Sequence, residues 1–300
     1  MLLQLYSHYS VSYYCRLFGK TRQAFYDQRN KPQEVGMQEA MVLKLVQEIR
    51  EQLPRCGTDK LHLMLRESLV LHGIKMGRDA LGDLLSRHGY LIRHRRRKPY
   101  TTNSRHHYHK YPNLIRGMSI THPGKLWVSD ITYLRLKTRF AYLSIITDAY
   151  SHKIVGYKLH PTLAAQGAID ALKMASKDTR ITCELIHHSD RGIQYCCGDY
   201  VQHIEGLNIQ LSMTEKGDPY ENPVAERING ILKHEHLLAQ TFSSFEAARN
   251  EVDKAVKAYN ELRLHDSCNR MTPMVAHDQT GVLKKHWKPK KYHSRMLEVT

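Results

Sequence analysis

The chain has 300 residues, 41% hydrophobic and 25% charged, a globular composition with room for about two domains. No apolar run approaches the roughly 18 residues that span a bilayer, and the start MLLQLYSHYS lacks the basic-then-apolar order of a secretion signal, so a membrane or secreted protein is not expected. The net charge of +16 is uneven: residues 1–120 carry 21 Lys and Arg against 9 Asp and Glu, 121–280 carry 18 against 19, and 281–300 carry 6 against 1. Basic ends around a neutral middle predict that the ends hold a polyanion.

Residues 10–29 place Val11, Tyr14, Cys15 and Phe18 at helical spacing, then Gly19, then Thr21 as a cap before Ala24 and Phe25. Two short helices around a glycine turn are the helix-turn-helix pattern, with Lys20 and Arg22 placed to touch DNA. A second amphipathic segment is expected over 37–53, with Met41, Leu45, Val46 and Ile49 on one face. Helices over 58–70 (Leu61, Leu65, Leu69) and 77–88 (Ala80, Leu81, Leu84, Leu85) complete a small helical domain over 1–92. Arg93, Arg95, Arg96, Arg97 and Lys98 then open a basic, His-rich linker over 93–120 that is expected to meet DNA phosphates and to be partly disordered in the free protein. Its His106, His107 and His109 read as polar filler.

From Lys125 the texture changes. Strands are expected over 126–135 and 139–148, joined as a hairpin, then 153–160. Helix 163–176, strand 185–188, helix 198–205, strand 207–212 and helices 223–238 and 245–262 follow. Strands first and then strand alternating with helix predict an α/β domain over 121–280, a mixed sheet with flanking helices. The tail 281–300 is basic and unpatterned. The six cysteines form no C-x-x-C pair and read as reduced thiols of a cytosolic protein rather than as zinc ligands.

Three acids in the neutral middle stand at informative places. Asp130 interrupts the apolar strand LWVSDITYL, on the face of Val128 and Thr132 and opposite that of Trp127, Ser129 and Ile131. Asp190 follows a short apolar run in LIHHSDRGIQY, where a strand leads into a turn at Gly192. Glu226 lies in the first turn of a helix opened by Asn222 as N-cap and Pro223 at the first position, where the helix dipole favours a carboxylate. Singly, each has a structural explanation. Together, with 35 residues between Asp190 and Glu226, they form a pattern.

The segments WVSDITY (127–133), HSDRGIQY (188–195), NPVAERING (222–230) and YNELRLHDSCNRMTP (259–273) resemble, in order, the catalytic core shared by retroviral integrases and the insertion-sequence transposases of the IS-three group, second reading-frame product. The resemblance implies a ribonuclease-H-like fold and metal-dependent DNA cleavage and strand transfer. It makes Asp130, Asp190 and Glu226 the catalytic, metal-holding carboxylates, for two Mg²⁺ or Mn²⁺ ions, with Asp130 bridging. It further implies a basic DNA contact at Lys233, assembly of several copies on the element ends and target DNA, a nucleoid location, and a first-reading-frame partner whose leucine zipper this chain lacks. Arg263-Leu264-His265 departs from the Arg-Pro-His common in such proteins. Tyr133 and Tyr195, beside the acids, read as packing or DNA-contacting groups rather than nucleophiles. Other readings are a structure-selective nuclease on the same fold, or a catalytically silent DNA-binding regulator left by a mobile element.

Overall fold

The computed structural model describes residues 9–92, 108–177, 181–182, 184–215 and 221–287, without the side chains of 27–34. The chain divides into two compact units, residues 1–51 with 56–93, and residues 52–55 with 94–300.

In the first unit, α1 (Val11–Leu17) starts where Ser10 Oγ accepts from Tyr13 N, and ends before Gly19, whose φ of +62° makes the turn. Thr21 Oγ1 accepts from Ala24 N at 3.0 Å and opens α2 (Arg22–Gln52). The two helices expected on either side of residue 30 are one: the backbone stays helical through Pro32 and Gly36. The buried stripe of α2 is Val42 and Val46, while Met41, Leu45 and Ile49 are half-buried, so the packed face is rotated from the expected one. Two more helices, α3 (Thr58–Leu71) and α4 (Arg78–Arg87), bury Leu61, Leu65 and Leu69 and Leu81, Leu84 and Leu85 as their spacing predicts. Ala80 and Phe18, also expected inside, are exposed.

The second unit is built on one sheet in the order β3-β2-β1-β4-β5. Strands β1 (Leu126–Leu136), β2 (Phe140–Asp148) and β3 (Ile154–His160) form an antiparallel meander. Strand β4 (Ile186–Ser189) joins β1 in parallel, and β5 (Gln210–Met213) joins β4 in parallel. A two-residue β6 (Thr241–Phe242) pairs with the far end of β1, at Arg135 and Leu136. Trp127 and Ile146 face α5 (Ala165–Lys177), α6 (Ile193–Cys196) and α7 (Gly198–Gly206) in one apolar cluster. Leu134, Leu143 and Ile145 face α8 (Pro223–His234) and α9 (Phe245–Glu261) in another. A short α10 (Pro273–His277) follows, opened by Thr272. This mixed sheet with helices on both faces is the ribonuclease-H-like α/β fold.

A Cβ at Gly156 would lie 2.2 Å from the Ala171 carbonyl oxygen, so glycine lets α5 lie close on β3. Residues 108–120, expected as linker, pack on this unit: Tyr108 and Tyr111 border one apolar cluster and Ile115, Met118 and Ile120 another. Apolar side chains at those positions supply an anchor that the polar stretch before them lacks.

Candidate active site

Asp130 stands on β1, and Asp190 follows the end of the neighbouring parallel strand β4. Val128 of β1 pairs with His188 of β4, and each aspartate lies two residues beyond that rung, so the two carboxylates project from equivalent points. The strand β4 ends at Ser189, which leaves Asp190 in the turn after it. There its Oδ1 accepts from Gly192 N at 2.9 Å; a Cβ at Gly192 would sit 2.9 Å from that same oxygen, so a side chain there would push the Asp190 carboxylate aside.

The third acid arrives on α8. Glu226 is exposed in its first turn, and Pro223 takes the first position as its fixed φ favours. Asn222 occupies the N-cap but makes no capping bond, contrary to expectation. Its amide instead donates to the Ser129 carbonyl of β1 at 2.9 Å. One turn on from Glu226, Asn229 donates to Asp130 Oδ2 at 2.6 Å, while Asp130 Oδ1 accepts from Ile131 N at 2.8 Å. Sequence reasoning missed Asn229; its spacing of three from Glu226, on the same helical face, is the signal that would have found it.

Burial, together with the nearby Asp190 charge and, more weakly, Glu226, pushes the Asp130 carboxyl up to about 7, against the hydrogen bonds from Ile131 and Asn229. Lys233, two turns along α8 from Glu226, is half-buried; burial lowers its ammonium against the pull of Asp130. The side-chain oxygens of Asn222 and Asn229 are buried without a donor. Among the described residues no three acidic, His or Cys side chains already form a metal cage.

Beneath the acids lies a buried polar layer. His187 Nε2 lies 2.6 Å from Ser129 Oγ and 3.0 Å from the Tyr200 hydroxyl. His188 Nδ1 lies 2.8 Å from Ser212 Oγ, and its Nε2 3.2 Å from the Glu221 carbonyl. Burial takes the two imidazoles down to about 3 and about 4. Tyr195 is buried against His187 and Tyr200, and burial raises its phenol, so it packs rather than touching DNA. Tyr133 is half-buried against Phe140 and Tyr142.

Of the residues expected to touch DNA, Lys233 comes to the acids. Lys20 and Arg22 are exposed at the turn between α1 and α2, in the other unit. Arg93, Arg95, Arg96, Arg97 and Lys98 lie outside the described residues, as do His106 and His107.

Residues 120–219 match the integrase core domain family, and residues 207–273 match a second family of the same description. A 31 kDa protein of insertion element IS600 from Shigella sonnei is 32% identical over 264 residues, covering 86% of this chain and 95% of that one. The chain belongs to the insertion-sequence transposases with an integrase core. The InsF transposase for insertion sequence IS3fB of Escherichia coli (strain K12) is 36% identical over 152 residues, 50% of this chain and 53% of the relative, so the match spans about half of that IS3-type transposase. The HTLV-2 integrase catalytic core domain, solved in complex with magnesium, is 18% identical, covers 52% of this chain and 97% of its own, and superposes with a TM-score of 0.43. The two integrase core matches between them include all three acids of the site. No described helix of this transposase is long and apolar enough to cross a membrane.

Proposed function

We propose that this transposase cuts DNA at the ends of an insertion sequence and transfers the freed strand, with Asp130, Asp190 and Glu226 as its catalytic carboxylates. The observation that carries this reading is the placement of Asp130 and Asp190 two residues beyond one parallel rung, with the Glu226 helix bonded to Asp130 through Asn229.

Three carboxylates are hard oxygen donors suited to Mg²⁺ or Mn²⁺. The site's imbalance supports that fit. Asp130 is raised beside two acids, and the oxygens of Asn222 and Asn229 lack donors; a hydrated cation supplies both counter-charge and donors. Asp130, Asp190 and Glu226 would hold the metal, which would activate the attacking hydroxyl and stabilise the leaving oxygen.

The chain's own residues orient the reaction. Asn229 and Ile131 hold the Asp130 carboxylate, Gly192 holds that of Asp190, and Lys233 supplies positive charge to phosphate. Water bonds to phosphorus as the bond to the 3′ oxygen breaks, releasing a 3′-hydroxyl. That hydroxyl then attacks phosphorus in the target strand, displacing a second 3′-hydroxyl. No covalent protein–DNA intermediate forms. Lys20, Arg22 and the basic run of Arg93, Arg95, Arg96, Arg97 and Lys98 hold the flanking DNA. The domains follow the charge: 1–92 for DNA ends, 93–120 joining, 121–280 for chemistry and a basic 281–300. Two element ends call for more than one copy on DNA at the nucleoid, with a first-reading-frame partner completing end recognition.

The test is incubation with element-end DNA and Mg²⁺, followed by sequencing of nicked and joined products. Asp130→Asn, Asp190→Asn and Glu226→Gln each abolish cleavage and leave DNA binding near normal. Full cleavage by any one of them sinks the assignment, and a wild-type chain that binds ends without nicking is a silent regulator.

A further inference from the structure

His188 pairs with Val128 of β1 on the rung that precedes both proposed catalytic aspartates. It lies in β4 two residues before Asp190, fully buried, and its cross-strand partner in β5 is Ser212. Hydrogen-bond chemistry decides which ring nitrogen carries the proton. The Glu221 carbonyl can only accept, so Nε2, 3.2 Å away, donates to it. Nδ1 is then the acceptor for the Ser212 hydroxyl at 2.8 Å, and Ser212 Oγ in turn accepts from Leu114 N at 2.9 Å. Every link of the chain from Leu114 through Ser212 and His188 to Glu221 thus has one direction and needs one tautomer.

That chain ends where α8 begins. Glu221 immediately precedes Asn222, whose amide is bonded to the Ser129 carbonyl of β1. Two successive residues entering the Glu226 helix are therefore pinned to the two strands that carry the aspartates: Glu221 to β4 by His188, and Asn222 to β1. The Glu221 side chain is committed elsewhere, accepting from Glu215 N at 2.6 Å, so the contact with His188 is through backbone and persists whatever that carboxylate does.

We propose that His188 is a positioning residue for the third carboxylate: as the Nε2–H tautomer it ties the strand of Asp190 to the entry of the helix that carries Glu226. The assignment rests on the three-carboxylate function proposed for this site. It leads to a specific asymmetry between two substitutions. In His188→Gln the side-chain amide nitrogen lies near the place of Nε2 and still donates to Glu221. In His188→Asn the shorter amide reaches Ser212 only.

Amide hydrogen exchange over residues 222–232 and single-turnover cleavage are measured on the full chain for both variants, alongside melting temperature. For His188→Asn, exchange at the start of α8 is faster than in the wild type, and cleavage is slower by on the order of 100-fold, the effect of about an ångström of misplacement, with DNA affinity unchanged. His188→Gln restores both. Equal behaviour of the two variants, or wild-type exchange in a folded His188→Asn, overturns the proposal. If His188→Asn does not fold, Ser212→Ala takes its place: it removes the anchor of Nδ1, and unchanged exchange in it is equally decisive. Glu226→Gln separates the role of His188 from that of the carboxylates. It loses cleavage with wild-type exchange; if it still cleaves, the carboxylate assignment fails, while the comparison of Gln with Asn at 188 still decides the role of His188.

Discussion

Asn229 of α8 and Asp130 of β1 are joined by a 2.6 Å hydrogen bond from amide to carboxylate, ninety-nine residues apart in the chain. The bond holds the Asp130 carboxyl down, against burial and two like charges. In metal-free Asn229→Ala the Asp130 carboxyl therefore titrates higher than in the wild type, as followed by carbon-13 NMR. The variant also cleaves more slowly at neutral pH, because less Asp130 is ionised. An unmoved titration would show that the bond does not govern this carboxylate.

Asp130 also sets a pH dependence of stability. Its carboxyl is raised from 3.8 to about 7 in the fold, so its contribution is fully present below pH 4 and lost as pH rises through 7. His152 and His236, lowered from 6.5 to about 4 by burial, act oppositely, losing stability as pH falls through that span. The difference between metal-free wild type and Asp130→Asn isolates the first effect: the variant gains in melting temperature relative to wild type from pH 4 to pH 7. Mg²⁺ at pH 8 raises the melting temperature of the wild type but not of the variant.

Lys233→Glu places a fourth negative charge near Asp130, on the α8 face that carries Glu226. Cleavage and strand transfer both fall strongly, while the helix, whose buried residues Ile228, Ile231 and Leu232 are untouched, keeps its melting temperature within a few degrees. Normal joining by this variant would show that this face does not meet DNA.

Arg263 is 3% exposed and grips Glu235 through two bonds of 2.8 and 2.9 Å. Arg263→Leu leaves the Glu235 carboxylate, 28% exposed, without that partner, and costs about 3 kcal/mol in urea unfolding. The double variant Arg263→Leu, Glu235→Leu recovers part of the loss. A single variant as stable as wild type would mean the pair is screened by solvent.

Gly156→Ala drives a methyl group into the Ala171 carbonyl, which is backbone and cannot swing aside. Separation of α5 from β3 costs roughly 3 kcal/mol, read from the shift in urea midpoint. A small shift would mean that α5 slides without loss.

Much of the fold was legible in the sequence, and so were the acids of the candidate site. The three acids were read from short motifs, and the main strands and helices of the second unit lie close to their expected bounds, because alternation and helical spacing report directly which face is buried. The misses have physical causes. Helix α2 runs through Pro32 and Gly36, the two residue types with the weakest helix propensity, so local sequence gives no sign that the helix continues there. The two-residue β6 and four-residue α6 are too short to show a period. Asn222 fits the N-cap in composition, yet its amide donates to a carbonyl of β1, and Asn229 and His188 bond to similarly distant partners. Such bonds join residues far apart in sequence: helical spacing can point to Asn229, but nothing local names the partner on the other strand.

Along one edge β1 pairs with β4 only at Leu126–Val128 and with β6 only at Arg135–Leu136, whereas along the other edge it pairs with β2 from Trp127 to Arg135. The β2 edge closes between chain neighbours, so it forms early and cheaply as the polypeptide collapses. The edge that brings Asp190 beside Asp130 requires a long parallel crossover, and Glu226 arrives later still on α8. During synthesis, then, the meander can pair before Asp190 and Glu226 reach Asp130, so the candidate site is assembled only after α8 has left the ribosome.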